Sequence, residues 1–477
     1  MTFSSPEFPL FFALTISIYY LLSTNAVRKI FLVLASCIFY AAWDYRFLAL
    51  IAFVVFAAWA GTWALGALTI PRHRKIVLAT AIALQIGVLA FFKYFLFFTH
   101  NIVGMLTWAG IPGWSTTLDI LLPIGLSFYI FHSISLLVDF HGGKLGRGVP
   151  SLLDVSLYIV FFPQLVSGPI VRSTVFLPQL ETIRRLDPAM AERAINLILV
   201  GYVYKLLLSD NIATVIDPVF QDPSLWDRTA LWAANIGYYG QIYFDFAGYT
   251  NIAIGLSALF GYELPKNFDF PYGTTNITDF WRRWHISLSS WLRDYLFIPL
   301  GGSKGSFGFY FRNIMITMVL GGLWHGASWN FVIWGTLHGI GLVVHKVWLL
   351  FRPDKTFDQF CAQPVSWACG FLLTQFWVMI LWLFFRIQDF DVAMRMIAKM
   401  FHLAPAGSRA LPGGSWGMLA LIALPIILDT LVGCLLVRRD RHAYVGSFRM
   451  GIVFGAFASL IVAAIVMQVR PFIYFKF

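Results

Sequence analysis

The chain has 477 residues, 59% of them hydrophobic and only 12% charged, with a net charge of +11 and 47 phenylalanines. So little charge cannot cover a water-soluble protein of this length, whereas a bilayer accepts apolar side chains on the outside as readily as a core does on the inside. The composition therefore excludes a soluble globular enzyme and points to an all-α polytopic membrane protein.

Taken in chain order, uncharged runs long enough to cross about 30 Å of hydrocarbon fall at residues 8–27, 47–70, 76–92 and 451–467. Shorter and interrupted candidates bring the expectation to roughly eleven or twelve transmembrane or re-entrant helices. The first run has no basic n-region and no small-residue cleavage site after it, so it reads as a retained helix. Arg28 and Lys29 follow the first helix, Arg72, Arg74 and Lys75 the third, and Lys144 with Arg147 the fifth. The positive-inside rule then places the N-terminus outside, residues 172–193 inside, the stretch with Asp217, Asp222 and Asp227 outside, and Arg438, Arg439 and Arg441 inside. The positive charge is read as a topology signal that meets anionic lipid, with no nucleic-acid site. Cys37, Cys361, Cys369 and Cys434 show neither CxxC spacing nor histidines at zinc-ligand intervals, and read as buried small hydrophobes with no metal. With no internal repeat, low-complexity tract or dividing linker, residues 1–477 read as one membrane domain.

Polar groups among apolar ones are the informative residues here, because burying them costs several kcal/mol unless they are paired or used. In FFPQLVSGPIVRS, residues 161–173, Pro163, Gly168 and Pro169 forbid an uninterrupted helix and predict a re-entrant or broken segment, lined by Gln164, Ser167 and Arg172. Asp245 lies inside the apolar run YFDFAGYTN, where it is either functional or ion-paired to an arginine of the next segment. After the loop-like LPKNFDFPYGTTN, an amphipathic helix is expected from an N-cap at Thr278, carrying Trp281, Trp284, Trp291 and Tyr295 among Arg282, Arg283, His285, Arg293 and Asp294. Arg282 and Arg283 match phosphate oxygens or anchor lipid headgroups, and both readings stay open. His285 and Ser289 would share one helical face.

The stretch GGLWHGASWNF, residues 321–331, sets His325 between two tryptophans and three glycines. An ascending helix over 314–320 is expected to break at Gly321 and Gly322 and to return over 331–344. Lys304 and Arg312 before the pair, with Lys346 and Arg352 after it, put both flanks inside and His325 at the hairpin's far end or at mid-membrane. His338, near Thr336 and further glycines, reads as a helix-packing residue.

A neutral imidazole tolerates burial and serves as a general base, and deprotonating a hydroxyl for attack on an acyl carbonyl needs little beyond it. The chain has no GxSxG elbow, HExxH site or P-loop, which leaves acyl transfer without a metal, or transport of a lipid or solute through a polar cavity. No inverted repeats favour the transporter.

FFPQLVSGPIVR, YFDFAGYTNIAIG, DFWRRWHISLSSWLRDYLFIPLGG and GGLWHGASWNFVIWGTLHG together resemble the membrane-bound O-acyltransferases. The likeness is densest over residues 121–345 and is greatest to the alginate O-acetyltransferase branch, with PLGG at 299–302 distinguishing it from the D-alanyl-transfer branch that shares the tryptophan-histidine motifs. The resemblance implies helices around a central funnel or tunnel, with His325 as the catalytic histidine and His285 as the second motif histidine. Arg282, Arg283, Trp324, Asn330, Asp245 and Gln164 are the candidates for donor or substrate contacts. The resemblance further implies an acyl donor in the cytoplasm, acetyl-CoA or a charged carrier, with no bound cofactor. An extracytoplasmic polysaccharide acceptor, a separate periplasmic transferase as partner and a bacterial inner-membrane location follow from it as well. His132, in FYIFHSISLLVD, stands where relatives more often carry glutamine.

Overall fold

The computed structural model describes residues 1–111, 120–146, 148–351 and 364–413, together with 416, 423, 427, 472 and 473. The span expected at 451–467, and Arg147, Arg352, Cys361, Cys434, Arg438, Arg439 and Arg441, lie outside the described residues. Among the described residues the ordered structure is helical, with an isolated bridge between Trp226 and Arg409. Asn25–Ala67, Pro71–Trp108, Pro188–Gln221, Trp329–Leu350 and Pro364–Arg386 are long and apolar enough to cross a bilayer, and Phe8–Leu21 and Leu126–His141 are shorter apolar helices. The protein is an all-α polytopic membrane protein. Its chain gathers into two compact units, Met1–Ile198 with Ile252–Pro265, and Leu199–Asn251 with Lys266–Phe477.

In the first unit the helix expected over 8–27 ends at Leu21, and a second one begins at Asn25, where the Thr24 hydroxyl accepts the Val27 N–H at 3.4 Å. Arg28 and Lys29 thus lie in the first turn of the second helix. Arg28 is buried over the Tyr19 ring, 4.8 Å from its centre, and donates to the Leu22 and Arg184 carbonyls, while Lys29 pairs with Asp154 at 2.6 Å. These two cations therefore hold helices together as well as marking a flank.

The broken segment takes the form its prolines dictate: one helical turn at Phe162–Leu165, then irregular backbone buried from 161 to 171. Gly168 folds back so closely on the turn before it that an added Cβ would lie 2.8 Å from the Pro163 carbonyl oxygen. His132, fully buried on Leu126–His141, accepts the Val171 N–H at its Nε2, 3.1 Å away. Gln164 donates to the Tyr158 carbonyl at 2.6 Å. The irregular backbone here is covered by protein, the condition under which unwound backbone is tolerated in a membrane.

In the second unit Phe307–His325 and Trp329–Leu350 form a tight helical hairpin. The expected break at Gly321 and Gly322 does not occur, because the helix continues through both to His325. Gly322 and Gly335 meet across the hairpin instead. A Cβ on Gly335 would lie 3.2 Å from the Gly322 Cα, and one on Gly322 would overlap the Phe331 carbonyl. Small residues at such a contact let two membrane helices approach to backbone distance. The chain turns at Gly326–Ser328.

Of the cysteines expected to be buried, Cys37 is half-buried and Cys369 is exposed. Cys369 lies on the outer side of Pro364–Arg386, where it lines an apolar groove of about 480 Å³ with Val344, Leu373 and Trp377.

Candidate active site

His325 is the last residue of its helix and lies about 20 Å along the axis from Arg312, at 1.5 Å per residue. It is 4% exposed and boxed by aromatic rings, with Trp324 at 4.9 Å and the edge-on rings of Trp334 and Phe385 each at 5.0 Å. Phe331 lies nearly parallel to it at 6.4 Å.

His285 is placed by a break that the sequence did not predict. The amphipathic stretch starts earlier than expected, because Asn276 and not Thr278 caps it, its side-chain oxygen accepting the Asp279 N–H at 2.8 Å. Thr278 instead bonds His345 Nδ1 at 2.8 Å. The helix then stops at Arg283, Trp284 is extended, and His285 adopts a left-handed backbone with φ 43° and ψ 55° before a second helix, Ile286–Leu292. Asn267 holds this turn: its carbonyl accepts the Ile286 N–H at 2.8 Å and its side-chain oxygen accepts the Ser287 N–H at 3.2 Å. These are donors that an unbroken helix would satisfy internally. The helical face expected for His285 and Ser289 is therefore absent, and the Ser289 hydroxyl donates to the Trp284 carbonyl at 3.1 Å.

The His285 ring is fully buried, with Nδ1 3.0 Å from Asn267 Oδ1 and Phe246 edge-on at 4.6 Å. It lies outside the membrane-spanning helices, and burial pushes its pKa down to about 3, so the ring is neutral. Its Nε2 meets no hydrogen-bond partner among the described residues.

Trp324 joins the two histidines, with its ring 6.1 Å from His285 and 4.9 Å from His325. The ring contacts continue to His338 through Trp334, which lies 4.7 Å from it. His338 is fully buried, and its Nδ1 accepts the Trp281 indole N–H at 3.3 Å. Asn330 fastens the start of Trp329–Leu350 to the chain after Pro364–Arg386 by donating to the Ile387 carbonyl at 2.5 Å.

The remaining candidates divide. Arg283 pairs with Asp279 at 2.9 Å, while Arg282 projects to the surface. Asp245 is buried in an ion pair whose cation is Lys205, at 2.7 Å, and not an arginine of the next segment. Its second oxygen accepts the Ile473 N–H at 2.6 Å. Gln164 belongs to the other compact unit. Sequence reasoning missed Asn267, Trp334, Phe385 and Lys205. A lone lysine in the apolar run LILVGYVYKLLLSD, and an asparagine among loop aromatics, were the available signals. Among the described residues, no three His, Cys, Asp or Glu side chains come together as a metal site.

Fold and site define an integral membrane protein whose buried polar centre is a set of imidazoles in an aromatic cage. Residues 136–387 match the membrane-bound O-acyltransferase family, and the chain belongs to that family. It is 39% identical over 407 residues to a probable alginate O-acetylase of Azotobacter vinelandii, covering 84% of this chain and 78% of that protein. A peptidoglycan O-acetyltransferase of Helicobacter pylori is 32% identical over 79% of this chain and 74% of its own length. A teichoic acid D-alanyltransferase of Streptococcus thermophilus is also 32% identical, over 50% of this chain and 59% of its own.

Proposed function

We propose that this O-acyltransferase moves acetyl groups from a cytoplasmic thioester donor, acetyl-CoA or a charged carrier, toward hydroxyls of an extracytoplasmic polysaccharide such as alginate. One observation carries the reading: the His325 imidazole is buried at the hairpin turn and linked through a single ring, Trp324, to His285. In this scheme His325 takes the proton of the attacking hydroxyl, the alkoxide oxygen bonds to the acyl carbon, the thiolate leaves, and the imidazolium returns its proton to it. The aromatic walls exclude water, which protects the acyl donor from hydrolysis. His285 holds the donor or relays the proton.

The protein then lies in a bacterial inner membrane with its N-terminus outside and with Lys304, Arg312 and Lys346 on the cytoplasmic side. Arg282, exposed and basic, would meet a donor phosphate there, with Arg283 behind it in its ion pair. A separate soluble transferase outside the membrane would complete delivery to the polymer. The test is polymer O-acetyl content in a His325→Ala strain whose membrane level of the protein is normal. The reading predicts a loss of about a hundredfold or more, and retained acetylation would overturn it.

A further inference from the structure

The Asn267 side chain makes contacts that fix the hydrogen positions of its neighbours. A main-chain N–H can only donate, so the Asn267 atom 3.2 Å from the Ser287 nitrogen must be the amide oxygen. That oxygen also accepts the Ser287 hydroxyl at 2.9 Å. The same oxygen lies 3.0 Å from His285 Nδ1, and an amide oxygen only accepts, so the proton of the neutral ring sits on Nδ1. Nε2 is then a bare lone pair, fully buried and facing no hydrogen-bond partner among the described residues. Asn267 is itself 1% exposed, so water does not compete for its oxygen. The charge of residue 267 matters as much as its shape. An aspartate there would accept the same hydrogen bonds, but its negative charge would favour the imidazolium, protonated on both nitrogens.

We propose that Asn267 is a positioning residue for acyl transfer: it holds the His285 proton on Nδ1 and presents Nε2 as an acceptor to the donor or to the proton in transit. This rests on His285 taking part in the reaction as proposed above. The amide supplies orientation without charge, so the ring can accept a hydrogen bond without having become a cation in an apolar cage.

The full chain, labelled with nitrogen-15 in the histidine rings and held in lipid nanodiscs, provides the test, with a His285→Gln sample identifying the His285 signals. At pH 7 the native protein is expected to show His285 with one proton-bearing and one bare nitrogen, and Asn267→Asp to show both nitrogens protonated. In cells, Asn267→Asp is expected to lower polymer O-acetylation about ten- to a hundredfold at normal membrane level, the range in which groups that orient an imidazole act at metal sites. Asn267→Asp preserves the acceptors for Ser287, so it separates ring protonation from folding. A native His285 ring bare at Nδ1, or unchanged ring protonation in Asn267→Asp, overturns the inference. Normal acetylation in His285→Gln overturns the role of His285 itself. Normal acetylation in Asn267→Asp, with His285→Gln impaired, overturns the role of Asn267 alone.

Discussion

Two buried polar regions of the second unit are built on opposite terms. Around Asp245 the groups are charged and paired: Lys205 is shared by Asp210 at 2.8 Å and Asp245 at 2.7 Å, and Asp245 also takes the Ile473 N–H. Around His285 and His325 several polar atoms meet no protein partner among the described residues, including His285 Nε2, His338 Nε2, Asn330 Oδ1 and the Trp334 indole nitrogen. Native proteins leave few buried polar atoms unpaired, because each costs about 1–3 kcal/mol. The ion cluster therefore reads as a fastening that ties Phe472 and Ile473 to the Arg228–Leu259 helix. The histidine cluster, in which His285 Nε2 and His338 Nε2 are left for another molecule to bond, is the candidate site.

This contrast can be broken by substitution. The largest stability effect is expected from Lys205→Met, which strands buried carboxylates and should cost about 3–5 kcal/mol, read as a loss of folded protein in detergent melts with acetylation falling only in step. If acetyl transfer per folded molecule also collapsed, the fastening reading would be wrong. Next, Gly335→Val drives a side chain into the Met318 carbonyl and should cost about 1–3 kcal/mol through overpacking, with His325 displaced as the hairpin parts. A normal melting temperature would show that the backbones do not meet there.

A smaller effect concerns pH. With the folded His285 pKa near 3 and the ordinary value at 6.5, the unfolded chain binds this proton first as pH falls. Stability should therefore decline as pH drops from about 6.5 toward 3, and a His285→Gln protein should lose part of that slope. An unchanged slope would mean that burial does not depress this ring. The smallest effect is expected at the arginines: Arg282→Ala should raise the donor KM several-fold, and Arg283→Ala should do so less, since Arg283 is already engaged by Asp279. Equal donor affinity in both variants would remove the phosphate contact.

The membrane class and the two histidines were legible in the sequence, because hydropathy is a sum over many residues and His325 and His285 stand within motif-bearing stretches. The local breaks were not. Glycine pairs mark either a helix end or a close contact, and only the facing Gly335 decides that Gly322 is a contact. Helical periodicity ran on through 278–295 because the residue that interrupts it, Asn267, lies 18 positions before His285 and acts through hydrogen bonds that no local pattern encodes. Lys205 was hidden for a related reason, since its partners come from Asp210 nearby and from Asp245 on another helix.

The central claim is that His285 and His325 act as one unit across Trp324. The most direct measurement is acetyl incorporation into polymer by His285→Gln, His325→Gln and the double variant at matched membrane levels. Each single substitution is expected to remove about a hundredfold or more, and the double to lose no more than the worse single, as for groups that serve one step. Near-native incorporation in His285→Gln beside abolished incorporation in His325→Gln would contradict the claim.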